Sequence, residues 1–406
     1  MLKLAWRNIW RNSRRTILTV LAIAFATSIL QFFVSIQLKS YDAATKSAIA
    51  LTLGQLQVQK KGYLEKPQIR ATIEDPLSLE SKIKSLDRVE HTSIRSIGFA
   101  LISSEKRSYG LQVIGIMPEK EKLVSSVSGL IKKGEYLDST STNDCVIGEI
   151  LAKNLKVDIG DEVTILGQGK DGSLAASVAT IRGIFDSGTK DFDRVTMFIP
   201  YKTFQDVFSM QNSAHSIVVM GMRLKDLEQI QSKIEELLKN ETNLVSLRWD
   251  QLMPGLKQSI ELDMSAGWIF YLTLVLIVTF SIVNTFLMSV LERSREFGIM
   301  LAIGARTPRI MGMVVIESIL LTLVGIFLGV LIGSGVITYF SIHGFTVPGA
   351  EEIAKLWNLP IRIYPELTIR VILTAPLMIL TTTFIGVMYP VLKILWLKPL
   401  EAMRAT

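Results

Sequence analysis

The sequence predicts an α-helical membrane protein with four transmembrane helices, arranged one plus three, and a large α+β extracytoplasmic domain. Two observations support this fold class. Long apolar runs occupy residues 16–38, 266–291, 310–341 and 369–392, and each exceeds the about 20 residues that a helix needs to cross a bilayer. Residues 39–265, between the first two runs, are of mixed character and numerous enough to fold around their own core.

The charge distribution predicts the side of the membrane on which each segment lies. Residues 39–265 hold 29 Lys and Arg against 30 Asp and Glu, so this segment is nearly neutral. Residues 1–15, 292–309 and 393–406 together hold 12 basic and only three acidic residues. Short segments rich in Lys and Arg stay in the cytoplasm. We therefore expect both termini and the 292–309 loop inside, with residues 39–265 and the 342–368 loop outside.

The sequence carries no signature of an enzyme. The 406 residues contain no GxxxxGK[ST] loop for phosphates, since Gly169-Lys170 has neither its spacing nor its hydroxyl, and neither GxSxG nor HExxH occurs. His91, His215 and His343 are too far apart to suggest a metal site. We therefore expect no catalytic, cofactor or metal residues on this chain. The net charge of +7 follows the topology and does not indicate nucleic-acid binding.

The N-terminal segment, residues 1–15, alternates apolar and basic residues at helical spacing, which predicts an amphipathic helix in the membrane interface. It serves either as a positive-inside anchor or as an elbow helix that steers the first span. The apolar run at 16–38 continues well past the small residues at 24–26, so we expect a retained span and not a cleaved signal peptide.

Alternating strand and helix patterns predict an α+β domain over residues 39–265. A gap at residues 119–135 suggests two lobes. Strands are predicted at 55–59, 111–114, 145–147, 163–166, 178–182, 197–199 and 217–220, and helices at 78–86, 149–155, 201–208, 227–238 and 250–265.

Polar and small residues inside the spans are candidate functional positions. Asn284 in the second span and Glu317 in the third are the intramembrane polar candidates. Glu317 is either a paired or hydrated carboxylate near the cytoplasmic end, or a functional group. Gly325, Gly329 and Gly333 follow one another at four-residue spacing. They provide a small face for packing within one bundle or across a dimer.

The loop between the second and third spans carries the strongest motif. Residues 292–306 read ERSREFGIMLAIGAR, which resembles the R-x-R-E-[IF]-G-x-x-x-A-x-G-A stretch of FtsX/MacB-like ABC transporter permeases. In that family the stretch is a coupling helix that docks on the ATPase. Residues 290–303 contain no proline, so we expect one unbroken helix continuous with the second span. The resemblance implies ATPase-coupling roles for Arg293, Arg295, Glu296, Phe297, Gly298, Ala302 and Gly304.

The resemblance extends over most of the chain. Residues 389–404 resemble the P…L-x-P-[IL]-E-A-L-R ending of the family, and short segments within 113–185 resemble its MacB-type periplasmic core domain. It implies a type VII, mechanotransmission permease of the bacterial inner membrane, most similar to lipoprotein-releasing LolC/LolE-type permeases. The implied partners are a separate ABC ATPase dimer that holds ATP and Mg, a second permease copy or homologue, and membrane lipids.

The resemblance leaves the cargo open. A lipoprotein-releasing permease would take lipoproteins or lipid-like cargo from the inner membrane. A MacB-like export permease would work with a periplasmic adaptor, and an FtsX-like signalling permease would control a cell-wall hydrolase. We expect the first of these three functions, and the sequence does not distinguish a homodimer from a heterodimer.

Overall fold

The computed structural model describes residues 2–105, 107–239, 241–346, 349 and 362–394. These residues form two compact units. The membrane unit comprises Met1–Tyr41, Ser259–Val347 and Arg362–Thr406, and the α/β domain comprises Asp42–Gln258 and Pro348–Ile361.

The described helices and strands are numbered in chain order. The helices are α1 (Leu2–Ile9), α2 (Ser13–Ala48), α3 (Pro76–Lys84), α4 (Pro118–Val124), α5 (Glu149–Leu155), α6 (Lys190–Val195), α7 (Tyr201–Val207), α8 (Leu227–Leu237), α9 (Trp249–Leu252), α10 (Pro254–Glu292), α11 (Ser294–Ala302), α12 (Thr307–His343) and α13 (Ile369–Lys393). The strands are β1 (Leu56–Lys60), β2 (Ile73–Glu74), β3 (Val89–Ser103), β4 (Ser108–Ile116), β5 (Ile131–Gly134), β6 (Asp144–Gly148), β7 (Glu162–Gln168), β8 (Leu174–Phe185), β9 (Thr196–Pro200), β10 (Ser213–Ala214), β11 (Ser216–Gly221) and β12 (Leu244–Arg248).

Four helices, α2, α10, α12 and α13, are long and apolar enough to cross a membrane. We call them spans 1 to 4, and with the α/β domain they confirm the predicted fold class. The helices are longer than the apolar runs: α2 continues to Ala48, and α10 begins at Pro254. A proline is well placed there because the first helical residue needs no backbone N–H donor.

Span 3 packs closely on span 1 through its glycines. A Cβ at Gly325 would lie 2.7 Å from the Ile23 Cβ, and a Cβ at Gly329 would lie 2.6 Å from the Ala24 carbonyl oxygen. Real Cβ atoms do not approach other atoms this closely, so the small face permits the contact. Of the two expectations for these glycines, the structure supports packing within one bundle.

The α/β domain is built on one ten-stranded sheet and a separate β2–β10 pair. Six of its strands close into a ring, in the order β3-β4-β9-β6-β8-β7 and back to β3. The ring is filled by buried side chains, one or more from each strand. They include Ile102, Val113, Ile147, Ile165, Ile181 and Ile199.

Beyond the ring, β11, β1 and β12 extend the sheet from β3, and β5 borders β8. A second core lies against this extension, where Ile83 of α3 and Ile230 of α8 are buried with Leu56 and Ile217. The division of the strands at residues 119–135 is not observed, because strands from the two sides of this segment pair with one another, as β4 does with β9. All described strands except β2 and β10 join one sheet, because the long β3 belongs both to the ring and to its extension.

Candidate functional site

The α11 helix, which contains the motif residues of the loop other than Arg293 and Gly304, presents two different faces. Phe297 is 1% exposed and Gly298 is buried in the membrane unit. On the other side Arg295 is exposed, Ile299 is 44% exposed, and Ile303 just past the helix is 81% exposed. One face therefore anchors the helix, and the other exposes a cation and apolar surface.

The end of α11 is fixed by its backbone. The Ala305 N–H donates to the Met300 carbonyl at 2.9 Å, and the Gly304 N–H donates to the Leu301 carbonyl at 3.0 Å. This pair of bonds is a Schellman motif, which needs a residue of positive φ after the helix. Gly304 fills that position with φ +97°, so its role within the chain is to terminate α11.

The start of α11 corrects an expectation. The predicted unbroken helix over residues 290–303 is wrong, because α10 ends at Glu292, α11 begins at Ser294, and Arg293 between them has φ −101° and ψ 12°. Its guanidinium group hydrogen-bonds Glu317 of span 3 and lies 5.2 Å from the ring centre of Phe297. These contacts provide a physical reason for the break. The sequence did not predict the break because residues 290–303 contain no proline.

Four charged side chains form an ion-pair network around this break. The Arg293 Nη1 lies 3.0 Å from the Glu317 Oε2, and its Nε lies 3.2 Å from the Glu296 Oε2. The other Glu296 oxygen lies 2.5 Å from the Nη2 of Arg11. The network thus joins the segment before span 1 to α11 and to span 3. A separate pair, Arg15–Glu292 at 3.2 Å, lies beside it.

Burial divides the network into an inner and an outer part. The side chains of Arg293 and Glu317 are 12% and 8% exposed, whereas those of Arg11 and Glu296 are 60% and 42% exposed. The hydrogen bond from Arg11, with that from Arg293, lowers the pKa of Glu296. The inner pair is shielded from water, so its attraction is stronger than that of a surface pair.

The structure distributes the proposed coupling residues over different positions. Arg295 and Ala302 are exposed, while Arg293, expected at an ATPase contact, is mostly buried and paired within the chain. The sequence does not identify Arg11 as part of this site. Its only sequence signal was the basic periodicity of the N-terminal segment, which does not identify an acidic partner.

The two intramembrane candidates are not together. Glu317 belongs to the network, so its paired-carboxylate interpretation matches the geometry. Asn284 is exposed on span 2, and its side chain makes no hydrogen bond within the described part of the chain. Over the same residues, no group of three or more His, Cys, Asp or Glu side chains is arranged to hold a metal ion.

Two family models match the chain. The MacB-like periplasmic core domain matches residues 16–237, more than half of the sequence, and the FtsX-like permease C-terminal model matches residues 268–399. The second match contains the break at Arg293, all of α11 and Glu317.

Individual relatives agree with these matches. The chain is 25% identical over 326 residues to the lipoprotein-releasing system transmembrane protein LolC of Xylella fastidiosa, with 75% of each chain covered. It is 26% identical over 365 residues to the macrolide export ATP-binding/permease protein MacB of Campylobacter jejuni, covering 84% of this chain but about half, 53%, of that protein.

Among solved structures, the periplasmic region of MacB from Actinobacillus actinomycetemcomitans matches with a TM-score of 0.38 and 14% identity, over 52% of this chain and 94% of that chain. The family models carry the assignment. Taken with the four spans and the α/β domain, they show that the chain belongs to the FtsX/MacB/LolC family of ABC transporter permeases.

Proposed function

We propose that this chain is the membrane subunit of an ABC transporter and relays ATP-driven movement from a separate ATPase to its periplasmic α/β domain. The cargo is a lipoprotein or a lipid-like molecule released from the bacterial inner membrane. The observation that supports the relay best is the two-faced α11 helix, anchored by Phe297 and exposed at Arg295, Ile299 and Ile303.

The exposed face of α11 has the composition of a protein contact. Arginine is enriched among the residues that contribute most of the binding energy at interfaces, exposed apolar surface rimmed by polar residues is typical of protein contacts, and charge complementarity guides the approach. The ATPase would dock here on the cytoplasmic side, in agreement with the basic excess of the loop. A dimer of ATPase subunits would hold ATP and Mg, and a second permease copy or homologue would complete the assembly.

The choice of cargo rests on the relatives. The lipoprotein-releasing LolC protein of Xylella fastidiosa matches this chain over three quarters of both lengths, whereas the MacB protein of Campylobacter jejuni extends well beyond the match. We therefore place lipoprotein or lipid release before macrolide-type export with an adaptor.

Purification from the native membrane, followed by mass spectrometry, tests the proposal. We expect an ABC ATPase and lipoproteins to accompany the permease. Recovery of an ATPase with a periplasmic adaptor would instead indicate an export function. Recovery of an ATPase with a wall hydrolase would indicate a signalling function. Recovery without any ATPase would contradict the proposed function.

A pair of matched variants locates the contact. Ile299→Asp places a charge on the exposed face of α11 and should remove the ATPase from the purified complex. Leu174→Asp changes an equally apolar, 78% exposed residue of the α/β domain and should leave the ATPase bound. Loss of the ATPase from both variants, or from neither, would reject α11 as its docking site.

A further inference from the structure

We propose that the movement of α11 enters the membrane through span 3 and passes from there to span 1, with Glu317 as the positioning residue that ties α11 to span 3. This inference rests on the proposed function, because it assumes that an ATPase displaces α11. It assigns a route to that displacement and a role to an intramembrane carboxylate.

The connection from span 2 to α11 is not a continuous helix. Helix α10 ends at Glu292 and α11 begins at Ser294, and Arg293 between them departs from helical dihedral angles with φ −101° and ψ 12°. Its N–H still donates to the Ser289 carbonyl and its carbonyl still accepts from the Phe297 N–H, so the departure lies in the dihedral angles. A break between two helices can absorb backbone rotation, as hinge residues do. The junction at Arg293 can therefore bend, so α11 can turn without moving the whole of span 2.

A largely buried ion pair at the start of α11 makes the contact with span 3. Arg293 and Glu317 are paired at 3.0 Å with little exposure of either side chain. Separating such a pair would leave two charges unpaired in a low-dielectric region, which is costly. The guanidinium also lies over the ring of Phe297, the buried anchor of α11. A displacement of α11 should therefore draw span 3 with it.

Span 3 is in turn packed tightly on span 1. The approach at Gly325 and Gly329 leaves no room for a Cβ, and Gln31 of span 1 donates a hydrogen bond to the Ser334 hydroxyl at 3.1 Å. Helices that interlock at this distance slide past one another only by unpacking. Spans 1 and 3 are therefore expected to move as one body.

Span 1 has the form of a rigid rod. Its helix α2 runs for 36 residues from Ser13 to Ala48 and contains neither glycine nor proline, which gives a length of about 54 Å. Arg11, just before it, is joined to Glu296 of α11. The rod is therefore tied to α11 at its N-terminal end as well as through span 3.

The first experiment uses the full chain with its co-purified ATPase in nanodiscs. Spin labels on Glu65→Cys in the α/β domain and on Ser341→Cys in the membrane unit report the ATP-dependent distance change. Native Cys145 is fully buried and should not react with the label. Glu317→Gln should abolish most of the distance change, while ATPase binding is retained. Glu317→Asp, which keeps the charge, should restore most of it.

Arg309→Gln is the matched control. It removes one exposed positive charge near the start of α12 and should behave like the wild type. An equal response of wild type and Glu317→Gln would overturn the proposed route. Absence of any ATP-dependent change in the wild type would instead contradict the proposed function itself.

A second experiment does not depend on the stability of the Glu317 variants. A Cβ at Gly333 would lie 3.1 Å from the Ser28 Cα, so a disulfide between Ser28→Cys and Gly333→Cys would lock span 1 to span 3. If the two spans move together, the oxidised protein should keep the distance change of the reduced protein. Loss of the response on oxidation alone would contradict joint movement.

Discussion

His215 of the α/β domain is fully buried and uses both ring nitrogens. The Ile97 N–H donates to its Nδ1 at 2.9 Å, which leaves Nε2–H to donate to the Ile69 carbonyl at 3.1 Å. Burial lowers the pKa of His215 to about 4. The folded domain therefore keeps this imidazole neutral under conditions in which an unfolded chain would protonate it.

This pKa shift predicts a loss of stability in acid. The unfolded histidine takes up a proton below pH about 6.5, but the folded one does so only near pH 4, so stability falls between these values. From pH 7.5 to pH 5 we expect a loss of about 2 kcal/mol from this group. Pulse proteolysis of the α/β domain in urea measures it.

The control separates His215 from other groups. The loss of stability between pH 7.5 and pH 5 that is attributed to His215 should disappear in His215→Gln. His91→Gln, at a partly exposed site, should retain this loss. An unchanged pH dependence in His215→Gln would show that another group is responsible.

Arg293 shows which residue-level features the sequence could not supply. The motif identified its position and charge, but the partner Glu317 is 24 residues away in another helix. Because many basic side chains in the sequence could have paired with Glu317, only the fold selects Arg293. Gly304, by contrast, could have been interpreted from its place directly after an apolar helical run.

At the scale of elements, α11 depends on one buried ring. Phe297→Ala should destabilise the helix by about 3–5 kcal/mol, since it removes a large side chain that is 1% exposed. Ile303→Ala, at an 81% exposed site, should leave the helix unchanged. Hydrogen exchange of the α11 amides measures both. Equal protection in the two variants would contradict the anchoring role of Phe297.

The Schellman end of α11 yields a second prediction at this scale. Gly304→Ala should cost about 1 kcal/mol, because φ +97° is unfavourable for a residue with a Cβ. Gly304→Asn should cost less, since asparagine tolerates positive φ better. Protection of the amides at positions 304 and 305 should fall more in Gly304→Ala than in Gly304→Asn. A larger fall in Gly304→Asn would show that another contact ends the helix.

The elements predicted best were those with regular apolar spacing. All seven predicted strands overlap observed strands, and α5 has the predicted bounds. The longest strand, β3, was missed because it buries the polar residues Ser93 and Arg95, which bind the carboxylate of Glu121. A pattern based on apolar alternation does not detect a strand whose buried face includes an ion pair.

At the scale of the whole molecule, the charge distribution predicts the topology. With Cys145 buried, a new cysteine can report its side of the membrane. Glu65→Cys should react with a membrane-impermeant maleimide added to intact spheroplasts, and Arg306→Cys only after permeabilisation. The opposite pattern would invert the chain in the membrane and move α11 away from any cytoplasmic ATPase.

The fold class followed from apolar length and charge, which are properties of the whole sequence. The ring of six strands did not follow, since its closure depends on the β3–β7 pairing between distant segments. The ion pair between Arg293 and Glu317 of span 3 could not be predicted for the same reason. Contacts between residues distant in sequence therefore determine how the helices and strands of this permease are arranged, and local sequence patterns determine the individual helices and strands.

The most direct test of the central claim, that α11 receives an ATPase, is site-specific photocross-linking in living cells. A photoreactive amino acid replaces Ile303, which is 81% exposed at the end of α11. We predict a cross-linked product that contains an ABC ATPase, and the same amino acid at Leu174 should not produce it. Cross-linking at position 303 only to lipid, or to proteins other than an ATPase, would contradict this account.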